Sequence, residues 1–376
     1  MDFDLSDDQR LLADSVTRLM ADRYGFEARK GFVKQDTGWS AEMWGRYAEL
    51  GLLGLPFAEE HGGFGGGPVD VMLVMQEFGR ALALEPYLAT VVLGGGAVRL
   101  AGSAAQQAAI LPAIAEGGLK LAFAHSEREA RYDLADVQTT ARRANGGWVL
   151  DGAKSVVLHG DSADKLVVSA RVKGERDDPD GIGLFLVDAG AEGLARRGYA
   201  LRDETRAAEI SLTNVVAAEI LGEPGAAFGT IARVVEAGIA AMGAEAVGAM
   251  ETMQSMTLEY SRTREQFGKP IGTNQVVQHR LSEMLMALEQ GRSMAMLAAM
   301  SVDEPDAAER ARAISMAKIG FGQAARFVSQ QAIQLHGGIG MTEEYAVGHY
   351  FRRALVIGHT FGDTAYHLAR LAAEVE

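Results

Sequence analysis

The stretch Tyr260–Met284, YSRTREQFGKPIGTNQVVQHRLSEM, decides how the chain is read. An apolar, alanine-rich helical pattern runs into it from Val234 and is interrupted where Gly268, Pro270 and Gly272 follow in quick succession. Glycine frees the backbone there and proline removes an amide donor. A second helix is expected from Gln275, with Leu281, Met284, Leu285 and Leu288 along one stripe. Arg264, Gln266 and Phe267 therefore fall where a helix ends and its backbone is exposed. A guanidinium, an amide and an aromatic ring this close together suit a ligand carrying a diphosphate and a flat ring, because guanidinium pairs well with phosphate oxygens. An ordinary surface corner between two packed helices would use the same residue types.

Working outward, the 376 residues exceed what one core usually holds, so two or three domains are expected. A hydrophobic content of 48% with 23% charged residues is that of an ordinary soluble chain. The net charge of −14 argues against nucleic-acid binding, which needs a basic face to neutralise phosphates. With no cysteine there is no disulfide, thiolate metal site or cysteine nucleophile. The N-terminal MDFDLSDDQR is acidic and polar, and no apolar run reaches membrane-spanning length, so a cytoplasmic protein without membrane insertion is expected.

Residues 1–118 read as a helical domain. Ser6 and Gln9 have capping-box spacing, and Ser40 is placed to cap a helix that Gly51 ends. Five of the six residues Gly62–Gly67 are glycine, but no lysine or threonine of a phosphate loop follows and no strand precedes, so a flexible connection is expected. From Leu119 short alternating segments take over: KLAFAHSE, VQTTARR, GWVLDGAKSVVL, KLVVSARV, IGLFLVD and AEISLTNVV. Turn signals such as Asn145-Gly146-Gly147 separate them, which predicts an antiparallel β domain over 119–222. Helical periodicity returns over 223–376, where Ile314, Ala317, Phe321, Ala324, Val328 and Leu335 form a bundle seam. That helix ends in QLHGGIGM, which puts Gln334 and His336 just before Gly337 and Gly338. A nucleotide could lie on such a terminus, and a simple glycine cap is the plainer account.

The order helical domain, β domain, helical bundle, together with RTREQFGKPI and QLHGGIGMTEEYAVGHYFRRA, resembles the acyl-CoA dehydrogenase family over essentially the whole chain. The resemblance implies an α+β, mostly α fold with a middle β-barrel or sandwich and a C-terminal four-helix bundle. It also implies FAD bound without a Rossmann motif, an acyl-CoA substrate oxidised to the 2,3-enoyl thioester, and an electron-transferring flavoprotein as acceptor. A homotetramer or a heteromer with a second subunit of the family is the implied assembly. By position, Arg264 matches the diphosphate-binding arginine, with Gln266 and Phe267 beside it and Gln275 as a further FAD-contacting amide. Gln334, Gly337 and Gly338 match the family's Q-x-x-G-G, with His336 between them as a cofactor-side contact. Ser126 in FAHSER replaces the threonine that donates to the flavin ring, and Lys154–Leu158 lacks the usual tryptophan and threonine. No metal is implied, since none of His125, His159 and His336 has a helical ligand partner four residues away.

The family's base is a glutamate, and neither of its two usual positions carries one here. Counting from Arg352 brings the first to Phe361, and counting back from Arg264 brings the second to Gly238. Glu236 and Glu245 are the nearby candidates, with Glu245 about 10 Å along the helix from Gly238 at roughly 1.5 Å per residue. Asp363 lies two residues past the first position. The stretches YDLADV, DGAKSVVLHGDSADKL and YFRRALVIGHTFGD look most like the small subunit of the family's two-subunit pimeloyl-CoA dehydrogenases. Three accounts stand: a complete dehydrogenase, a catalytically incomplete partner subunit, or a flavin-dependent monooxygenase on the same scaffold.

Overall fold

The computed structural model describes residues 5–144, 147–217 and 219–373. The first four residues of the polar N-terminal stretch and the turn expected at Asn145-Gly146 lie outside the described residues. In chain order the helices are α1 (Asp7–Arg23), α2 (Phe26–Val33), α3 (Ala41–Glu49), α4 (Pro68–Ala81), α5 (Gly95–Ala101), α6 (Ala104–Ala115), α7 (Phe228–Thr263), α8 (Gln275–Ser301), α9 (Ala307–His336), α10 (Val347–His359) and α11 (Thr364–Ala373). The strands are β1 (Leu121–Ala124), β2 (Thr140–Ala144), β3 (Gly147–Leu158), β4 (Lys165–Arg171), β5 (Ile182–Asp188), β6 (Leu194–Ala200), β7 (Arg206–Ala217), β8 (Glu219–Leu221), β9 (Glu265–Gln266) and β10 (Lys269–Pro270). They fall into two compact units, Met1–Gly31 with Pro68–Ala83 and Ile239–Glu376, and Phe32–Gly67 with Leu84–Gly238.

The first unit is helical. Ser6 caps α1 as a full capping box with Gln9. The helices α8 and α9 pack along one another, and α9 buries Ile314, Ala317, Phe321, Ala324 and Val328 in the expected seam. The stripe on α8 is narrower than its spacing suggests. Leu281, Met284 and Leu288 are buried, whereas Leu285 is exposed, because a step of one residue turns the side chain about 100° around the axis. Small residues set the crossing of α4 with α7. A Cβ on Gly79 would meet the Glu245 carbonyl at 2.0 Å, and one on Gly248 would meet the Gln76 carbonyl at 1.9 Å.

The second unit carries the sheet, in the order β6-β7-β3-β2-β4-β5-β8, with β1 pairing onto β4. It is mixed rather than antiparallel. The strand β1 lies parallel to β4 with Leu121 opposite Lys165, since the β2–β3 hairpin separates them and returns the chain in the same direction. Two strands were not evident in the sequence. The strand β6, LARRGYA, is an exposed edge with two arginines and no apolar alternation, and β8 has three residues. The core is built from Ala122, Ala124, Leu166, Val168, Phe185 and Ile210, so strand alternation sends Phe123 and Ser169 to the opposite face.

The glycine-rich segment in this unit is a tight structure and not a flexible connection. The amides of Gly62, Gly63, Phe64, Gly65 and Gly66 donate to the carbonyls of Glu59, Ala58, Gly54, Phe57 and Leu55. Gly63 is obligatory, for its Cβ would lie 2.1 Å from the Phe57 carbonyl oxygen. With its amides committed in this way the loop cannot cradle a phosphate.

Candidate active site

In the first unit α7 runs to Thr263 and gives way to the hairpin β9–β10, with Gln266 opposite Lys269. Phe267 and Gly268 form its tip at φ 55° and 77°, the two positive values that a type I′ turn requires. The interruption expected here is thus a two-residue hairpin. It thrusts Phe267 fully into solvent, at 102% relative exposure. Arg264, Gln266 and Gln275 are exposed beside it, and the Arg264 guanidinium has no partner among the described residues. The Gln266 amide donates to the Glu265 carbonyl at 2.8 Å.

At the end of α9, Gln334, Gly337 and Gly338 are exposed, and a Cβ on either glycine would meet nothing within 4 Å. Gly337 closes the helix by donating to the Ile333 carbonyl at φ 62°, so it is a cap with open space above it. His336 is different. Its ring is buried, stacks on Tyr260 at 4.5 Å, donates from Nδ1 to the Ala332 carbonyl at 2.8 Å and accepts at Nε2 from the Tyr345 hydroxyl at 3.3 Å. Burial lowers its pKa, so the ring is neutral, and both nitrogens are engaged inside the protein. Its contribution is to fix the helix terminus on which Gln334 and the glycines sit.

The acids are disposed as follows. Glu245 on α7 is buried and accepts from Arg353 Nε and Nη2, 2.6 Å each, a bidentate pair. Glu236 is buried in the second unit, as is Gly238. Phe361 follows α10 at φ 61°, a conformation in which a bulky residue is strained. Its carbonyl accepts from His367 Nε2 at 3.1 Å, and Asp363 accepts from the Tyr366 amide at 2.9 Å to start α11. Beneath this loop Lys318 is buried and donates to the Ile357 carbonyl at 2.5 Å, and desolvation pulls its pKa down to about 7.

In the second unit Ser126 is exposed just beyond β1, and its carbonyl accepts from the Ser155 amide at 2.9 Å. Next to Ser155, β3 bulges between Lys154 and Val157 and turns Val156 outward at φ 52° and 48% exposure. A β-branched residue in that conformation is a genuine outlier, and bulges of this kind re-aim side chains next to functional sites. Lys154 is wholly buried and holds the strand end from below, donating to the His125 carbonyl at 3.1 Å, Glu127 Oε1 at 2.7 Å and Ser169 Oγ at 2.9 Å. Burial brings the Lys154 pKa to about 8. Glu127, itself held ionised by Lys154, also accepts from the amides of Gln138 and Thr139. Sequence reasoning missed Glu127 and Ser169. The signal was Lys154, a lone charge in the segment AKSVVL of an otherwise largely apolar strand, which demands buried partners.

Three family models match the chain, the acyl-CoA dehydrogenase N-terminal domain at residues 6–118, the middle domain at 122–215 and the C-terminal domain at 228–376. The "Probable acyl-CoA dehydrogenase YngJ" of Bacillus subtilis is 30% identical over 363 residues, covering 94% of each chain. The chain belongs to the acyl-CoA dehydrogenase family. Among solved structures, butyryl-CoA dehydrogenase from Megasphaera elsdenii superposes with a TM-score of 0.91 at 25% identity over 100% of both chains. A variant of the Tcur3481–Tcur3483 steroid ACAD does so with a TM-score of 0.88 at 28% identity over 98% of both chains. Among the described residues no helix is long and apolar enough to cross a membrane.

Proposed function

We propose that the chain is an FAD-dependent acyl-CoA dehydrogenase subunit that oxidises an acyl-CoA thioester to its 2,3-enoyl form and passes electrons to an electron-transferring flavoprotein. The observation that carries this reading is the hairpin tip, where Arg264 has no partner among the described residues and Phe267 is fully exposed in the family's cofactor-binding motif. The exposed Phe267 ring offers an apolar face on which a flat ring ligand can stack. Arg264 would hold the diphosphate of an FAD carried by a neighbouring subunit, Gln275 and Gln334 would meet its polar groups, and Gly337 and Gly338 leave room for it. Ser126 would donate to the ring edge, while Ser155 and Lys154 keep its backbone in place. When bound, FAD supplies the acceptor for a hydride from the substrate's β-carbon.

The α-proton needs a base, and the reading here is that the assembly and not this chain alone provides it. Glu245 would have to leave a buried bidentate pair to act, which makes Glu236 the remaining acid of the two. A heteromer with a second acyl-CoA dehydrogenase subunit, of the kind formed by the small subunit of pimeloyl-CoA dehydrogenase, accounts for Phe361 and Gly238 where glutamate is usual. An anaerobic titration with acyl-CoA thioesters, following the flavin absorbance, tests both parts. Bleaching by the chain alone would return the base to Glu236. Bleaching only after the partner subunit is added supports the incomplete subunit. A chain that takes up no FAD, alone or paired, would sink the reading.

A further inference from the structure

The hydrogen bonds around Lys154 have a direction that can be read from donor counts. Its ammonium has three protons, and three acceptors take them, the His125 carbonyl, Glu127 and Ser169. Ser169 Oγ therefore receives a proton from Lys154 and must place its own elsewhere. Its side chain is completely buried, and the one other partner it has among the described residues is His125 Nδ1 at 2.9 Å. Ser169 consequently donates to Nδ1, and the His125 proton resides on Nε2. That N–H has no hydrogen-bond partner among the described residues although His125 is only 5% exposed. Nε2 itself is not sealed from solvent, so this donor is open to an acceptor from outside the chain.

The ring lies next to Ser126 and stacks on Phe123, with centroids 5.7 Å apart and an interplanar angle of 23°. Phe123 is on the face opposite the sheet core, the face to which Ser169 also belongs. Desolvation keeps the imidazole neutral, with a pKa lowered to about 3, so it is a donor of fixed tautomer throughout the neutral range. We propose that His125 Nε2–H is a positioning donor to a carbonyl or imine acceptor of the flavin ring held at Ser126, and that the chain Lys154→Ser169→His125 relays the lysine's positive field to that ring. The inference rests on the FAD reading above. Reduction places negative charge on the ring, so the relay favours the reduced over the oxidised cofactor.

The experiment compares the FAD-loaded wild-type assembly with His125→Phe, His125→Gln and Ser169→Ala, measuring bound flavin and its midpoint potential. His125→Phe should keep flavin stoichiometry and shift the potential to more negative values, a loss of about tenfold in preference for reduced over oxidised flavin. His125→Gln, whose amide can donate from the same place, should recover most of it, and Ser169→Ala should show part of the loss. In wild type, histidine-selective ¹⁵N NMR should show an Nε2–H tautomer for His125 whose proton signal moves when FAD is added. This measurement holds even if a variant fails to fold. Flavin bound at an unaltered potential in His125→Phe, or a His125 signal indifferent to FAD, overturns the relay and leaves the FAD reading intact. Failure of the wild-type assembly to bind FAD overturns both.

Discussion

Arg353 grips Glu245 through two parallel hydrogen bonds, and both side chains are buried where α10 meets α7. The pair is bidentate, the geometry in which guanidinium and carboxylate bind most strongly. Removing one partner strands a charge in a medium that cannot solvate it, whereas replacing both with apolar groups of similar volume removes the problem. Arg353→Met should therefore destabilise the chain by about 3–5 kcal/mol, and the double change Arg353→Met with Glu245→Leu should recover most of that. Chemical denaturation of the two variants checks it. Equal losses in the single and double variants would show that packing, and not charge, holds this point.

The crossing of α4 and α7 makes a sharper prediction about single methyl groups. Gly79→Ala and Gly248→Ala each raise intrinsic helix propensity by nearly 1 kcal/mol. Each also drives a Cβ to within 2.0 Å or 1.9 Å of a backbone carbonyl carbon–oxygen group on the facing helix. Backbone cannot swing aside as a side chain can, so overpacking wins and a net loss of about 1–3 kcal/mol is expected. Thermal melts that showed either variant to be more stable would mean that the helices separate without cost.

Two neutral histidines set the acid limit of stability. Burial lowers His125 to about 3 and His367 to about 4, from an ordinary value of 6.5. As pH falls through 6.5 the unfolded chain takes up both protons and the folded chain does not, so unfolding is favoured by about 1.4 kcal/mol per pH unit for each histidine. The stability they confer is complete above 6.5 and declines until the folded values are reached. His367 is neutral because burial desolvates its ring, which outweighs the opposing pull of the Phe361 carbonyl that accepts from Nε2. His367→Gln should flatten the decline between pH 6.5 and 4 in denaturant titrations. A slope identical to wild type would exclude His367 from the transition.

Much of this architecture is legible in the residues themselves, and the exceptions have physical causes. The capping box at Ser6, the cap at Ser40 and the seam from Ile314 to Val328 are local or periodic, so their pattern survives in the linear chain. The strand β6 is hidden because an exposed edge strand has no core face to alternate with. The parallel pairing of β1 with β4 is hidden because register between distant strands is decided by tertiary packing. At the candidate site, the glycines and Arg264 announce themselves, while Ser169 does not, since a serine in an apolar strand has no signature until Lys154 is seen beside it. The tie between Glu245 and Arg353 spans 108 residues of sequence, and no spacing rule reaches so far.

The hairpin tip separates folding from function. Arg264 and Phe267 are exposed, and the Arg264 guanidinium contributes no ion pair or hydrogen bond among the described residues. Changes there should leave the cofactor-free chain within about 0.5 kcal/mol of wild type, as surface substitutions usually do. If the guanidinium grips a diphosphate, Arg264→Gln removes charge-assisted hydrogen bonds worth about 1.5–3 kcal/mol, a loss of tenfold or more in FAD affinity. Phe267→Ala should weaken FAD binding as well, by exposing the ring it covers, and should leave the hairpin intact because Gly268 keeps the φ of 77° that the turn needs. Fluorescence titration of FAD into each variant, paired with a melt of the cofactor-free protein, reads the two effects separately. Loss of affinity with an unchanged melt is the expected result. A fall in melting temperature without cofactor would assign these residues to the fold, and unchanged affinity would remove them from the cofactor site.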